Sequence, residues 1–409
     1  MTNRFAHEIY FDVVLKLSER CDLACPYCYY YFAKYDPHAR PALMTEDVAE
    51  RLPGFLLAAA HELALTHINV VFHGGEPLLY GKNRFRKLCE RLSAVLSDAP
   101  VKVRYGIQTN GLKLDDEWIS IFHHYGVRLG ISIDGLKDFH DASRPDHNGR
   151  GSFERVKRSL RSAQHSCETR GHAAPGAIAV IHPDMTAERI LPSLIDELGI
   201  VSPNLNFPRG GHDDPTSKQF EADTGFSSRL MRTYLEGYTS PKFHYVRGLS
   251  EFVVAMFSEK GAAVNDKRSS TQHFIVTIAS DGGIHPDDNL ISASPDLTHS
   301  GMNVLDTSLR DFVESDFFWK LTYARDFVPA KCSDCQWYRV CRSGQMFNRA
   351  GSEGFRHESS VCESLKVLYL ESARFLVESG VISTRRLGAI LSSEPTMLAE
   401  TAHRRVLEK

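Results

Sequence analysis

Between residues 8 and 210, short apolar runs alternate with longer runs in which apolar residues recur at helical spacing. The apolar runs predict six strands: Tyr10–Leu17, His67–His73, Val101–Thr109, Val127–Ile133, Gly176–Ile181 and Asn204–Phe207. The longer runs predict helices over Thr45–Leu65, Asn83–Leu96, Asp115–His124, Ser152–Gln164 and Thr186–Leu198. Strands that alternate with helices predict parallel βαβ units, and therefore an α/β fold.

After residue 210 the pattern is less regular, and it divides the chain into four segments. Residues 1–210 form the strand–helix domain, and residues 211–269 form a bridge with helical stretches. Residues 270–366 begin with a hairpin-like segment, Phe274–Ile284, and contain a group of cysteines. Residues 367–409 have the pattern of a helical tail.

Composition and charge exclude several classes of protein. The 409 residues are 42% hydrophobic and 24% charged, which is ordinary for a globular protein. A net charge of −3 gives no broad electrostatic reason to expect nucleic acid or an anionic membrane as a partner. The chain start lacks an apolar signal core, and no run of about 18 apolar residues suggests a membrane span. We therefore expect a cytoplasmic protein whose cysteines are metal ligands or catalytic thiols.

Three cysteines follow the first predicted strand directly: Cys21, Cys25 and Cys28, with the spacing C-x3-C-x2-C. A structural zinc site requires four ligands, and a cubane iron–sulfur cluster takes one protein ligand per iron. Three thiolates would leave one iron of a cubane open to a small molecule. Tyr29 would then shield the cluster from water. Incidental thiols and an incomplete zinc site are the alternatives.

Four further cysteines lie within 31 residues: Cys332, Cys335, Cys341 and Cys362. Four ligands close a metal site, and their spacing alone leaves zinc and a second cubane cluster equally open. The remaining two, Cys89 and Cys167, lie singly in helix-like stretches, where a cysteine packs as a small hydrophobic residue.

The first cysteine loop resembles the motif of the radical S-adenosylmethionine (radical SAM) superfamily. Three later segments resemble the motifs of that superfamily in the same order: His73–Leu79 (HGGEPLL), Gln108–Gly111 (QTNG) and Ser132–Gly135 (SIDG). The resemblance implies an open, partial (β/α)6 barrel of the TIM type. It also implies a [4Fe-4S] cluster on the first three cysteines, with S-adenosylmethionine bound to the open iron.

The same resemblance implies roles for individual residues. Backbone groups of Gly74, Gly75 and Glu76 would meet the methionyl ammonium, because a Cβ would block close approach there. The side chains that would lie near the ribose hydroxyls are those of Asn110, Ser132 and Asp134. Arg144 would bind the methionyl carboxylate, which a guanidinium matches with paired donors.

The second cysteine group resembles the latter half of the SPASM extension, an iron–sulfur module of radical SAM peptide maturases. A full extension has seven cysteines and two auxiliary clusters. Here Asp287 and Gln345 occupy two of the four positions for the first auxiliary cluster, and the other two cysteines are missing. We therefore predict one auxiliary [4Fe-4S] cluster, which transfers electrons or stabilises the module. In anaerobic sulfatase maturases, which this region resembles, an aspartate is the general base, and the matching residue is Asp288.

Two local segments, Arg150–Phe153 and His212–Pro215, resemble maturases that build three-residue cyclophanes in ribosomal peptides. The predicted function is therefore a C–C cross-link between an aromatic ring and a nearby β-carbon of a precursor peptide. Such an enzyme needs an electron donor, either a flavodoxin or a ferredoxin. The alternatives are formylglycine-type oxidation, thioether formation, or a non-catalytic iron–sulfur carrier or scaffold.

Overall fold

A computed structural model describes residues 9–31, 36–207, 209–238, 245–257, 272–290 and 299–392. One sheet has the strand order β6-β5-β4-β3-β2-β1-β7-β8. Its strands are β1 Ile9–Ser18, β2 His67–Gly74, β3 Lys102–Thr109, β4 Val127–Ser132, β5 Gly176–Val180, β6 Pro203–Asn206, β7 Gln272–Ile278 and β8 Ile284–His285. Strands β1 to β6 pair in parallel, as predicted. The chain therefore has the predicted α/β fold.

Helices separate the parallel strands. They are α1 Glu46–Glu62, α2 Lys82–Leu96, α3 Asp116–Tyr125, α4 Lys137–Ser143, α5 Phe153–Arg170 and α6 Ala187–Pro192. Helix α3 begins where the side chain of Asp115 accepts a hydrogen bond from the backbone N–H of Trp118 at 2.9 Å. Helix α6 continues into one wide π-type turn, Ser193–Glu197, before the last parallel strand of the first domain. The predicted helices are thus confirmed with small shifts at their ends.

The two faces of the sheet differ in chemistry near the strand ends. In β1, the alternating residues Phe11, Val13 and Leu15 are fully buried in the main hydrophobic core. Lys16 lies on the opposite face, and it is also fully buried. In β2, Phe72 belongs to the core, while His73 lies on the same face as Lys16. Because side chains alternate along a strand, the inner face of the barrel becomes polar at the carboxyl ends, where α/β barrels assemble their sites.

The hairpin predicted near Phe274 forms, but it also extends the barrel. Strands β7 and β8 are antiparallel, with Ile278 opposite Ile284. Strand β7 pairs in parallel with β1, from Ile9 opposite Gln272 to Leu15 opposite Ile278. The edge of β1 that β2 leaves free is thereby covered, so its backbone groups are hydrogen-bonded. The predicted six-stranded barrel sheet gains a seventh parallel strand.

The rest of the chain is largely helical: α7 Pro215–Ala222, α8 Thr224–Tyr238, α9 Ser250–Val254, α10 Leu309–Glu314, α11 Asp316–Asp326, α12 Ala330–Ser333, α13 Tyr338–Cys341, α14 Cys362–Glu378 and α15 Thr384–Ser392. Helix α14 packs against α8 and α9. The segment boundaries at 210, 269 and 366 stay predictions, and residues 239–244, 258–271 and 393–409 lie outside the described residues. None of the described helices is long and apolar enough to cross a membrane.

Candidate functional site

The first cysteine loop lies directly after β1, at the carboxyl ends of the parallel strands. The backbone N–H of Ala24 donates to the carbonyl of Pro145 at 2.8 Å, which fastens the loop to the segment after α4. Burial raises the pKa of the Cys25 thiol to about 12, although the nearby Arg144 opposes the shift. Burial also raises the pKa of Cys21 and of Cys28. These soft sulfur donors fit an iron–sulfur cluster, whose binding must displace their protons.

A series of hydrogen bonds connects Glu76, through Asn110, to this loop. The carboxylate of Glu76 accepts hydrogen bonds from the backbone N–H of Leu78 at 3.0 Å and of Asn110 at 2.8 Å. Asn110 in turn donates through Nδ2 to Asp22 at 2.7 Å, and the same atom lies 3.7 Å from the sulfur of Cys21. The structure therefore places Asn110 against the cysteine loop, and its predicted contact with a ribose stays a prediction.

Two glycines allow the end of β2 to approach the cysteine loop closely. Gly74 has φ +147°, and a Cβ there would collide with the carbonyl oxygen of Ser18. A Cβ on Gly75 would lie 2.5 Å from the carbonyl oxygen of Arg20 and would also collide with Tyr31. The sequence attributes these glycines to contact with a ligand, and the structure adds backbone packing as a second physical reason.

Replacing Gly75 with alanine should therefore displace the cysteine loop. Because the obstructing atom at Arg20 is backbone, we expect a loss of at least about 1–3 kcal/mol in the free energy of unfolding. Iron per chain after anaerobic reconstitution and the urea midpoint should both fall. Gly54→Ala in α1 is the matched control, since its Cβ would meet nothing closer than 3.8 Å. Equal iron in the two variants would contradict the packing argument.

Asp134 and Arg144 form a buried ion pair beside Cys25. Arg144 donates through Nε to Oδ2 of Asp134 at 2.8 Å and through Nη2 to Oδ1 at 3.0 Å. Tyr27 donates to Oδ2 at 2.7 Å, and the backbone N–H of Val180 donates to Oδ1 at 2.9 Å. Four donors occupy the acceptor sites of this carboxylate, so Asp134 orients Arg144 and Tyr27 here, and its contact with a ribose stays a prediction. Nη1 of Arg144 makes no hydrogen bond within the described part of the chain, and it remains able to bind a carboxylate.

Ser132 is less constrained. Its hydroxyl oxygen accepts a hydrogen bond from Nε2 of Gln108 at 2.8 Å, and the hydroxyl remains able to donate. It lies at the end of β4, two residues before Asp134. The predicted contact with a ribose therefore stays a prediction that this geometry permits.

His140 is buried beside the same ion pair and forms a hydrogen bond with the backbone of Asp134. Its Nδ1 accepts from the backbone N–H of Asp134 at 3.2 Å, and its Nε2 lies 3.0 Å from the hydroxyl of Ser152. Burial, with a contribution from Arg144, lowers the pKa of His140 from 6.5 to about 4. The unfolded chain therefore binds this proton more readily than the folded chain does, and acid favours unfolding.

The expected pH effect of His140 has a definite sign. Its contribution is fully present above its usual pKa, and it is lost as the pH falls toward the folded pKa of about 4. His140→Gln should therefore reduce the loss of stability between about pH 7 and about pH 5 by about 2 kcal/mol. Urea unfolding of the reconstituted protein at the two pH values measures this difference. The exposed His124→Gln serves as the control, and identical losses in His140→Gln and the wild type would refute the assignment.

Asp288, the predicted base, lies in the polar inner face and is nearly inaccessible. Its Oδ2 accepts a hydrogen bond from the ammonium of Lys16 at 2.8 Å and from the hydroxyl of Tyr29 at 2.6 Å. Burial acts to raise the pKa of Asp288, but the ammonium of Lys16 outweighs burial and lowers it, so this carboxylate is ionised at neutral pH. Tyr29 thus connects the cysteine loop to the predicted base, in addition to its predicted role as a shield.

The neighbours of Asp288 complete a buried network. Nζ of Lys16 lies 3.2 Å from Nδ1 of His73 and 4.3 Å from the ring centre of Tyr30. Burial, and then the charge of Lys16, lowers the pKa of His73 to about 4, so the imidazole is neutral and accepts from the ammonium. Sequence reasoning missed both residues. Lys16, which follows the apolar residues Val13, Val14 and Leu15 of β1, was the available signal.

The pKa of Asp287 shifts in the opposite direction to that of Asp288. Burial, and then the charge of Asp288, raises the pKa of Asp287 to about 6. Its Oδ1 accepts from the backbone and the side chain of Asn289 at 3.1 Å and 2.7 Å. Arg209 donates to the side-chain oxygen of Asn289, and its guanidinium lies 5.4 Å from the ring centre of Tyr29. Arg209 therefore joins the turn after β8 to the cysteine loop, and it too was missed.

The four cysteines of the second group line one cavity. Two short helices and one long helix supply them: Cys332 lies in α12, Cys335 follows it, Cys341 ends α13, and Cys362 begins the long helix α14. Trp337, Tyr338 and Tyr369 form aromatic walls of this cavity. Burial, followed by the three neighbouring thiols, raises the pKa of Cys341 to about 12. The donor set is thus suited to a fully thiolate-ligated cluster or to zinc.

Removing two of these ligands should show whether the site holds an iron–sulfur cluster or zinc. We expect that Cys335→Ala/Cys341→Ala lowers the iron content of the reconstituted protein from about eight to about four per chain, since a cubane holds four irons. Stability should also fall, because among the described residues the hydrophobic cluster beside this module has only four buried members: Leu290, Leu321, Ala350 and Phe355. Cys167→Ala, which removes a buried lone thiol, is the matched control. Unchanged iron accompanied by loss of zinc would contradict the second cluster.

The segment His212–Pro215 joins the bridge to the cysteine module. His212 places Nε2 2.8 Å from the carbonyl oxygen of Glu358, and Asp214 caps α7 by accepting from the backbone N–H of Ser217 at 2.7 Å. A Cβ on Gly211 would collide with the carbonyl oxygen of Ala350. The segment therefore has a structural role in holding the two parts together.

Comparison with known proteins defines the class of the barrel. Residues 15–177 match the model of the Radical SAM superfamily, so this part of the chain is a radical SAM domain. Its α/β fold, with a parallel sheet and a further module after the barrel, is the fold of solved radical SAM maturases.

Relatives extend the similarity beyond that domain. The cysteine-type anaerobic sulfatase-maturating enzyme of Clostridium novyi (strain NT) is 23% identical over 372 residues, which cover 86% of this chain and 92% of the relative. The serine-type enzyme of Klebsiella aerogenes is 31% identical over 181 residues, or 43% of this chain and 41% of the relative.

Two solved structures share the fold. Native anSMEcpe with bound AdoMet and Cp18Cys peptide has a TM-score of 0.73 at 20% identity, and the match covers 91% of this chain and 100% of that chain. Streptococcus suis SuiB bound to S-adenosylmethionine has a TM-score of 0.57 at 18% identity, with 87% of this chain and 77% of that chain covered. The chain is thus similar to maturases along most of its length.

Proposed function

We propose that this protein is a radical SAM oxidoreductase that modifies a peptide, and that it does so with a [4Fe-4S] cluster on Cys21, Cys25 and Cys28. The observation that carries the proposal is the three-thiol loop at the carboxyl ends of a parallel sheet, beside the cation of Arg144. A radical SAM domain over residues 15–177 supports it. A carrier or scaffold would have no use for a surface that binds an amino acid.

The residues that would hold S-adenosylmethionine lie around that loop. The backbone of Gly74, Gly75 and Glu76 would receive the methionyl ammonium, and Nη1 of Arg144 would bind the carboxylate. Ser132 would donate to a ribose hydroxyl. When bound, the cluster and S-adenosylmethionine supply a 5′-deoxyadenosyl radical, which abstracts a hydrogen atom from the substrate. The protein itself positions the ligand and excludes water, as the complete burial of Asp134 indicates.

We propose a precursor peptide as the substrate and a C–C cross-link as the product. Joining an aromatic ring carbon to a β-carbon removes one hydrogen atom, one proton and one electron. Asp288 would accept the proton, because it is ionised, buried and connected to the cysteine loop through Tyr29. The auxiliary cluster on the second cysteine group is the proposed one-electron acceptor, and a flavodoxin or a ferredoxin is the proposed donor for the first cluster.

Formylglycine-type oxidation is the second candidate. The similarity to a cysteine-type anaerobic sulfatase-maturating enzyme over 86% of this chain favours it. The replacement of first-auxiliary-cluster cysteines, with Asp287 and Gln345 at two of the positions, favours a different reaction.

Mass spectrometry of two peptides distinguishes the candidates. One peptide carries a repeated aromatic-x-x motif, and the other is the Cp18Cys peptide that the solved relative binds. Each is incubated anaerobically with the reconstituted protein, dithionite and S-adenosylmethionine. A loss of two hydrogen atoms per cross-link in the first peptide, without reaction toward an aldehyde probe, is the expected result. An aldehyde in the second peptide alone would establish formylglycine formation instead.

A further inference from the structure

A surface cleft lies on the outer side of the cysteine loop. Its walls include Asp22 of that loop, Lys113 after β3, and Asp146, His147 and Arg150 of the segment that follows α4. We call this feature the outer cleft. The segment after α4 covers the loop there, since Leu23 and Asp146 form an antiparallel bridge. The outer cleft therefore borders the cysteine loop at Asp22, the residue that follows Cys21.

Two contacts connect the outer cleft to the first cluster ligand. Nε2 of His147 lies 2.9 Å from the backbone carbonyl oxygen of Cys21. Asn110 bridges Asp22, at 2.7 Å, and the sulfur of Cys21, at 3.7 Å. The contacts that lead from the cleft to the Cys21 sulfur thus pass through the carboxylate of Asp22 and the amide of Asn110. Tyr29 and Asp288 contact each other at the other end of the loop, so substrate chemistry is on a different side.

The accessible charges of the outer cleft are positive. Lys113 is exposed, the side chain of Arg150 is 71% exposed, and that of Arg155 is 37% exposed. The carboxylate of Asp146 is only 8% exposed, and it accepts hydrogen bonds from both arginines at 3.1 Å and 3.0 Å. Asp22 is held by Asn110. The cations therefore project toward solvent, while the two acids are recessed and hydrogen-bonded.

We infer that the outer cleft is the docking site of an acidic electron-transfer protein that reduces the cluster on the first cysteine loop. The inference rests on the proposed function for the presence of that cluster. In the step concerned, the donor loses one electron and the cluster gains it, with no bond made or broken. Exposed cations around a short route to the ligand sulfur would steer an acidic carrier and orient it there.

The test uses a flavodoxin, an acidic flavin protein, and the anaerobically reconstituted holoprotein. Calorimetric titration gives the dissociation constant at low and at high salt for the wild type, Lys113→Glu and Lys113→Glu/Arg150→Glu. Lys113 makes no hydrogen bond within the described ranges, so its reversal leaves the Asp146 turn intact. Lys102→Glu is the matched control, because Lys102 is exposed at the opposite end of β3.

We expect the double variant to weaken flavodoxin binding at least about tenfold at low salt, with a smaller effect at high salt. The rate at which reduced flavodoxin bleaches the cluster should fall in parallel, and reduction by dithionite should be unchanged. Unaltered flavodoxin affinity in the double variant, or an equal loss in Lys102→Glu, would overturn the inference. Binding is measured without any peptide, so failure of the proposed reaction would not affect this result.

Discussion

Replacing Cys25 with alanine is expected to abolish the formation of 5′-deoxyadenosine. Cys25 is one of only three thiols in the loop, and two thiolates cannot hold the cubane that a three-ligand site retains. The loss of product should exceed about a thousandfold, because no other residue supplies the chemistry of the cofactor. Chromatography of the reaction with dithionite and S-adenosylmethionine measures it.

Cys89→Ala is the matched control for that experiment. Cys89 is a buried cysteine of α2, and it belongs to neither predicted cluster site. Its replacement by alanine leaves a small cavity, which should lower the free energy of unfolding by about 1 kcal/mol or less. It should retain iron and full 5′-deoxyadenosine formation. Comparable activity in Cys25→Ala and Cys89→Ala would mean that the cysteine loop does not hold the reactive cluster.

Replacing Asp288 with asparagine is expected to uncouple cleavage of S-adenosylmethionine from peptide modification. Removal of a general base costs about a hundred- to ten-thousandfold in the step that needs it. The hydrogen-atom abstraction precedes that step, so 5′-deoxyadenosine should still form while the cross-linked peptide does not. Mass spectrometry of the peptide and chromatography of the nucleoside, in one reaction, measure the ratio of the two products.

The fold must be kept intact for that ratio to be informative. Asp288→Asn alone leaves the buried ammonium of Lys16 unpaired, which costs about 3–5 kcal/mol. Lys16→Met/Asp288→Asn removes both charges and should restore stability without restoring product. Asp306→Asn, in an exposed turn, is the control. Normal product from the double variant would show that Asp288 is not the proton acceptor. Loss of product in Asp287→Asn would then identify the half-buried Asp287 as the base.

The strand–helix order of the barrel was predictable because it is local. Alternating apolar residues such as Phe11, Val13 and Leu15 identify β1, and Asp115 marks the start of α3. The partner of β7 was not predictable, since its pairing with β1 joins segments about 260 residues apart and both have ordinary strand patterns. The wide turn Ser193–Glu197 was missed because an extra residue in a helix leaves the apolar spacing nearly unchanged.

In the site, residue types were easier to predict than their partners. The sequence predicts functional roles for the cysteines of the first loop, Arg144 and Asp288, and the structure brings these residues to the same end of the sheet. The pairing of Arg144 with Asp134 was missed, although opposite charges ten residues apart at a strand end were a usable signal. The contact between Lys16 and Asp288 spans 272 residues, and no local pattern indicates it.

The most direct test of the central claim is the electron paramagnetic resonance spectrum of the reduced cluster. Cys335→Ala/Cys341→Ala, reconstituted anaerobically, isolates the signal of the first site. If the iron without a protein ligand binds S-adenosylmethionine, adding that compound should shift the spectrum, and the shift should disappear when Arg144 is also replaced by alanine. A zinc-loaded loop, or an iron signal indifferent to S-adenosylmethionine, would contradict the account.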